Sequence, residues 1–395
     1  MYSLKLILTN TKYFSVAWVF ASLNIIIGTW VLYVPYVKEK LELNNSQLGF
    51  ALFCTALGIL LFLPFVPYIT KKMGLGRYTI TGVVIFSLTF VLPLFAQNYI
   101  MLCISLFLVG IFFGTTNVSM NALVSEMEKQ DKVKFMSAVH GFFSLGGAIG
   151  AGLGSLFLNV FEEPWIHMFF MGLLILLINL FLSVRYYHII EEDTKVKKSS
   201  FKFKTIKPLL LIALIAFIVL MSEGSIEQWS SLYLIEEVKV SSNSFIGLGF
   251  IVFSIAMTIG RFFGDGVSKK IGSLKIIALG CLCASLGYLC ILTNGFTITI
   301  FGFGILGIGL STIIPELFRI AGNTHGVKAS EGISLVSGIG FIGFLAGPLI
   351  LGLISDRFNI EMSFVFLLVL TLVALIIILI NYKLSFYKIN NSNPK

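Results

Sequence analysis

The chain alternates long apolar runs with short polar breaks. Twelve runs can be read, at about 14–36, 47–69, 78–96, 99–124, 135–159, 165–187, 208–232, 244–264, 275–292, 296–318, 331–353 and 362–382. A helix of roughly 20 apolar residues crosses the hydrocarbon of a bilayer. The pattern therefore predicts an all-α integral membrane protein with twelve transmembrane helices. The longest polar stretch is 189–207, which opens with Glu191-Glu192-Asp193 and continues through Lys195, Lys197, Lys198, Lys202 and Lys204. It divides the spans six and six, so the expected organisation is a six-helix bundle over 1–188, a linker over 189–207 and a second bundle over 208–395. The first run is too long for a cleavable leader.

Composition agrees. Of the 395 residues, 57% are hydrophobic and 12% charged, against about 25% charged in soluble domains. A soluble enzyme, a disordered chain and a disulfide-rich secreted module are all excluded. The five cysteines (Cys54, Cys103, Cys281, Cys283 and Cys290) fall inside apolar runs with no Cys-x-x-Cys pair, so they read as small hydrophobes rather than metal ligands. The net charge of +9 is explained by placement. With the N terminus inside, 24 of the 28 Lys and Arg fall in or beside internal segments, leaving only Lys38, Lys40, Lys239 and Arg357 outside. That bias predicts that both termini face the cytoplasm. It accounts for the basic charge through topology and anionic lipid, without nucleic acid.

The two halves resemble each other at a shift of about 200 residues. Leu48-Gly49-Phe50-Ala51-Leu52-Phe53 is matched by Leu248-Gly249-Phe250-Ile251-Val252-Phe253. Gly146, Gly150 and Gly154 have counterparts in Gly343, Gly347 and Gly352, and Trp30 and Tyr33 in Trp229 and Tyr233. A duplicated six-helix unit giving two pseudo-symmetric bundles is a design of secondary transporters.

Several motifs carry a family resemblance. The loop Lys71-Lys72-Met73-Gly74-Leu75-Gly76-Arg77 and its second-half partner Gly260-Arg261-Phe262-Phe263-Gly264-Asp265 resemble the basic glycine loops of the major facilitator superfamily. The first loop has Lys71 where the family has Asp. In that family the loop forms an inner gate, which the resemblance implies for Arg261 and Asp265; these lie four apart on one helix face and can pair. The alternative is topology-setting charge plus a helix cap. Gly114-Thr115-Thr116-Asn117-Val118-Ser119-Met120-Asn121, Met136 to Gly146, and Glu223-Gly224-Ser225-Ile226-Glu227-Gln228-Trp229-Ser230-Ser231-Leu232-Tyr233-Leu234 narrow the likeness. They are similar to the fucose-permease-like branch, nearest to bacterial inner-membrane permeases of the YbjJ type. The sugar–proton symporters of that branch carry acids where this chain has Val31 and Asn117, so their proton carriers do not transfer.

The remaining intramembrane acids are Glu223 and Glu227. A charge at mid-membrane costs about 2.5–3.5 kcal/mol on insertion scales, which makes such residues functional candidates. They lie four apart on one helix face, roughly 22 and 28 Å from the inner start of the seventh span. Two carboxylates this close compete for ionisation, which poises the pair to take up a proton. The plain alternative is a satisfied Glu223 that serves packing, with Glu227 at the outer headgroups. Asn117 and Asn121 form a second four-residue pair that either a polar substrate or a neighbouring helix can satisfy. His140 suits proton exchange or a helix–helix hydrogen bond. Trp30 and Trp229 suit stacking on a ligand or interfacial anchoring, and Asn24 is a further cavity candidate.

The expectation is thus a secondary active transporter. It would move a small polar, sugar-like or other organic solute by alternating access across the bacterial cytoplasmic membrane, with proton coupling through Glu223, as a monomer in lipid. The rivals are a sensor or scaffold that does not translocate, and efflux of drugs or metabolites by the same fold. No Gly-x-x-x-x-Gly-Lys-Ser/Thr loop, metal-ligand cluster or nucleophile–base set can be assembled, so no cofactor, metal or catalytic residue is expected. Pro315 and Pro348 are predicted kink points.

Overall fold

A computed structural model describes residues 2–133, 135–158, 160–161, 163–190, 209–242, 245–322, 324 and 329–391. The predicted linker lies outside the described residues apart from Ile189 and Ile190. Every regular element among the described residues is helical. After a short helix at Tyr2–Thr9 come α1 (Thr11–Val31), α2 (Asn45–Phe62), α3 (Leu75–Thr89), α4 (Tyr99–Asp131), α5 (Met136–Phe157) and α6 (Pro164–Ser183). The second half holds α7 (Leu210–Glu236), α8 (Leu248–Ile271), α9 (Ser273–Ile291), α10 (Phe296–Ser311), α11 (Ala329–Arg357) and α12 (Ile360–Asn391). Eleven helices are long and apolar enough to cross a membrane; the twelfth, α8, has a shorter apolar part at Leu248–Gly264.

Local chemistry sets the boundaries. Asn10, Asn44 and Asn98 cap α1, α2 and α4 by accepting from backbone N–H groups two or three residues on, and Asn44 and Gln47 form a reciprocal capping box. Four predicted spans are broken. Short helices at Val34–Lys40, Val66–Met73, Leu92–Phe95 and Ile313–Gly322 follow α1, α2, α3 and α10, and the first three carry Pro in their first turn. Pro315 sits just beyond the α10 break, whereas α11 runs on through Pro348. Gly74 and Gly272, at repeat-related turns, have φ of +88° and +87°, a conformation that favours glycine.

Packing repeats as the sequence does. The α1–α5 pairing recurs as α7–α11, α2–α4 as α8–α10, α3–α4 as α9–α10, and α3–α6 as α9–α12. Gly146 and Gly150 bring α5 against the backbone of Ala21 and Ile25 on α1, and Gly343 brings α11 against Phe217 on α7. Lipid offers no hydrophobic drive between helices, so such backbone proximity supplies the contact energy. Between the halves, α2 packs on α11 and α5 on α8. α1 is buried almost throughout, while α6 turns Leu174, Leu177, Leu180 and Phe181 outward as a lipid-facing stripe.

Candidate functional site

We call the end of the bundle bearing the N terminus the terminal face. The opposite face is closed by contacts between α2 and α11. Asn45 donates its backbone N–H to Asp356 Oδ1 at 2.8 Å and its side-chain amide to Ser355 Oγ at 2.7 Å. Gly49 and Gly352 let the two backbones meet at Pro348 and Asn45. Lys38, beyond α1, pairs with Glu236 at the end of α7 at 2.5 Å.

The sequence places Glu223 about 20 Å along α7, the depth at which an unpaired carboxylate is most costly. Its Oε1 lies 3.0 Å from Arg261 Nη2 on α8. The second guanidinium nitrogen of Arg261 donates to Ser144 Oγ on α5, in the other half of the protein. Arg261 thus lies within α8, as its place in the 244–264 run predicts, three residues before the apolar part of that helix ends at Gly264. The helix continues to Ile271, ten residues past Arg261. The Asp265 side chain lies outside the described residues, so the expected Arg261–Asp265 gate pair stays an expectation.

The first half completes a polar belt. Ser144 Oγ donates to the carbonyl of His140 at 3.4 Å, and His140 Nε2 lies 3.1 Å from Asn121 Oδ1. Asn121 donates its amide to Asn117 O at 2.8 Å and to Asn117 Oδ1 at 3.3 Å, so Asn121 Oδ1 is the acceptor and His140 carries its proton on Nε2. Phe20 of α1 packs edge-on against the His140 ring at 5.3 Å. Asn117, Asn121 and His140 form one cluster and Glu223, Arg261 and Ser144 a second, and the two meet on α5 through the main-chain carbonyl of His140, making a polar belt that spans both halves. Ser144, its central link, was not picked out beforehand, because a lone serine in a helix carries no distinguishing signal.

The other candidates separate. Asn24 is buried and donates to the Phe143 carbonyl at 2.8 Å, tying α1 to α5. Trp229 is fully buried within the second half. Trp30 lines a cavity of about 50 Å³, toward the opposite face, together with Thr55, Phe90, Gln228 and Phe344. Glu227 is not among the lining residues; it accepts from the amide of Gln228, which is, at 3.3 Å.

Paired helical bundles, exposed apolar flanks and a charged belt crossing from one half to the other define a membrane transporter rather than an enzyme. The chain belongs to the Major Facilitator Superfamily, whose family model matches residues 14–327 and 212–393. It is 30% identical over 350 residues to an uncharacterised MFS-type transporter of Yersinia pestis, covering 88% of this chain and 90% of that protein. It is 28% identical over 358 residues to the membrane protein MosC of Rhizobium meliloti, covering 90% of this chain and 86% of that one. A crystal structure of a mutant of the nucleoside transporter NupG shares the fold, with a TM-score of 0.75 at 11% identity over 94% of this chain and 99% of that one.

Proposed function

We propose that the protein is a proton-coupled transporter that moves a small polar solute by alternating access, with Glu223 as proton carrier. One observation carries this reading: the Glu223–Arg261 ion pair is tied through Ser144 to the opposite half. A proton on Glu223 removes the charge that holds one side of Arg261. Proton occupancy is then linked to the contact between α5 and α8, across which the halves would rock. Linkage of this kind needs one group that both interacts with the proton and differs between the two states.

The terminal face is taken as cytoplasmic, since it gathers most of the Lys and Arg. The protein would sit in a bacterial inner membrane as a monomer, its halves divided as 1–188 and 208–395 by the 189–207 linker. Its motifs keep it in the fucose-permease-like branch, but without the branch's helix 1 and helix 4 acids. In proteoliposomes, Glu223→Gln should abolish accumulation driven by a pH gradient and spare counterflow exchange. Full accumulation by that variant would remove Glu223 from coupling.

A further inference from the structure

The cavity at the junction of the halves is neutral and largely apolar. Trp30, Leu52, Phe90 and Leu106 line it from the first half, and Phe344 and Leu345 from the second. Among the described residues, no Asp, Glu, Lys, Arg or His lines it. Besides the Trp30 indole its polar side chains are Thr55 and Gln228, and the Gln228 amide already donates to Glu227 at 3.3 Å. A solute with a hydroxyl on every carbon would leave most of them without partners there, which buried polar groups do not tolerate. The backbone adds one acceptor. Pro348 has no N–H, so the carbonyl of Phe344, one turn earlier in α11, lacks the donor that an ordinary helix supplies. That carbonyl lies against α7 at Gly224, 2.9 Å from where a Cβ would stand, and Gly224, Phe344 and Pro348 all line the cavity. Gly224 directly follows Glu223 of the belt. A water requires roughly 10–15 Å³ of such space, so about 50 Å³ takes about four heavy atoms.

We infer that this cavity seats the uncharged apolar end of an amphipathic solute, about four carbons long, and that the solute's adjoining hydroxyl or N–H donates to the Phe344 carbonyl. The rest of the solute then extends along α7 toward Glu223 and Arg261. The inference rests on the transporter reading above and narrows its substrate class, since the solute is polar at one end only. Each methylene that leaves water for the cavity tightens binding about fourfold, and a chain too long for the space gains nothing.

The test uses the full-length protein in nanodiscs, with empty nanodiscs as the blank. Saturation-transfer NMR reads the binding of propan-2-ol, butan-2-ol, hexan-2-ol, octan-2-ol and decan-2-ol, and of the matching alkan-2-ones, which accept hydrogen bonds but donate none. Affinity should climb about fourfold per added carbon as far as hexan-2-ol, whose tail has four carbons, and then level off or fall. Partition into lipid would keep climbing through decan-2-ol. Each alcohol up to that limit should bind about 2- to 10-fold more tightly than its ketone, as for one net hydrogen bond. Leu106→Ala, which enlarges the cavity, should move the limit to octan-2-ol. Pro348→Ala, which returns a donor to the Phe344 carbonyl, should erase the preference for alcohols and leave the limit in place. Affinity that climbs through decan-2-ol, binding by none of the alcohols, or a limit unmoved in a folded Leu106→Ala protein would each overturn the assignment. So would equal binding of alcohols and ketones, or a preference that survives Pro348→Ala. If Leu106→Ala fails to fold, the shift must appear in Leu345→Ala. The two readings fail separately. A chain-length limit without proton-driven accumulation sinks the coupling role of Glu223, and accumulation without such a limit sinks the cavity assignment alone.

Discussion

The Arg261–Glu223 pair gives the sharpest quantitative prediction. Its side chains are 18% and 17% exposed, so most of the pair is shielded from water but not all of it. Breaking a fully buried pair by removing one partner costs about 3–5 kcal/mol, chiefly because the surviving charge is orphaned. Partial exposure lowers that, and Arg261→Gln should cost about 2–3 kcal/mol. Glu223→Gln orphans the guanidinium, which keeps its hydrogen bond to Ser144, and should cost less. Arg261→Gln with Glu223→Gln leaves two amides able to bond each other, and should recover about 2 kcal/mol relative to the arginine variant alone. The assay is equilibrium unfolding in mixed micelles, followed by tryptophan fluorescence, on the wild type, both single variants and the double variant. A coupling free energy below about 0.5 kcal/mol would show that the two groups do not hold each other, and the belt would lose its centre.

Two further predictions concern packing and gating. Gly110 on α4 lies against the backbone of Thr55 on α2, so Gly110→Leu should cost about 3 kcal/mol in the same unfolding assay. Gly152→Ala, where an added methyl group meets nothing within 4 Å, should be neutral or slightly stabilising. Asp356→Ala removes the acceptor for the Asn45 backbone N–H that helps shut the opposite face. A net hydrogen bond contributes about 0.5–1.5 kcal/mol, so the open population should rise about 2- to 10-fold. Faster maleimide labelling of Thr55→Cys in a cysteine-free background would report it, and an unchanged rate would remove that contact from the gate.

Much of the architecture is legible along the chain because lipid imposes a simple rule. A spanning segment must satisfy its own backbone and present apolar side chains, so span number and length follow from runs of residue type. The twofold repeat is legible for a related reason: each half solves the same packing problem, with Gly146 and Gly343 at corresponding helix contacts. The breaks after α1, α2 and α3 coincide with prolines whose presence is plain in the sequence, although their structural effect is not. α11 passes through Pro348 without ending, because packing against α2 and α7 supports a helix that local preference alone would interrupt.

The pairing of charges is different in kind. Glu223 and Glu227 are conspicuous in an apolar helix, and residue type alone marks them as candidates, since hydrocarbon penalises any ionised group. Which of them is neutralised, and by what, depends on groups distant in the chain: Arg261 lies 38 residues from Glu223, and Ser144 lies 117 residues from Arg261. Sequence spacing pairs residues on one helix, which is why it suggested Arg261 with Asp265. Only the packing of α5, α7 and α8 brings Glu223, Arg261 and Ser144 within bonding distance, gives Glu227 the Gln228 amide as its partner among the described residues, and separates Trp30 at the cavity from Trp229 in the core. Span, repeat and the presence of costly charge are set by each residue's own solvation in lipid. The assignment of partners is set by distance in three dimensions, on which Coulomb and hydrogen-bond energies depend.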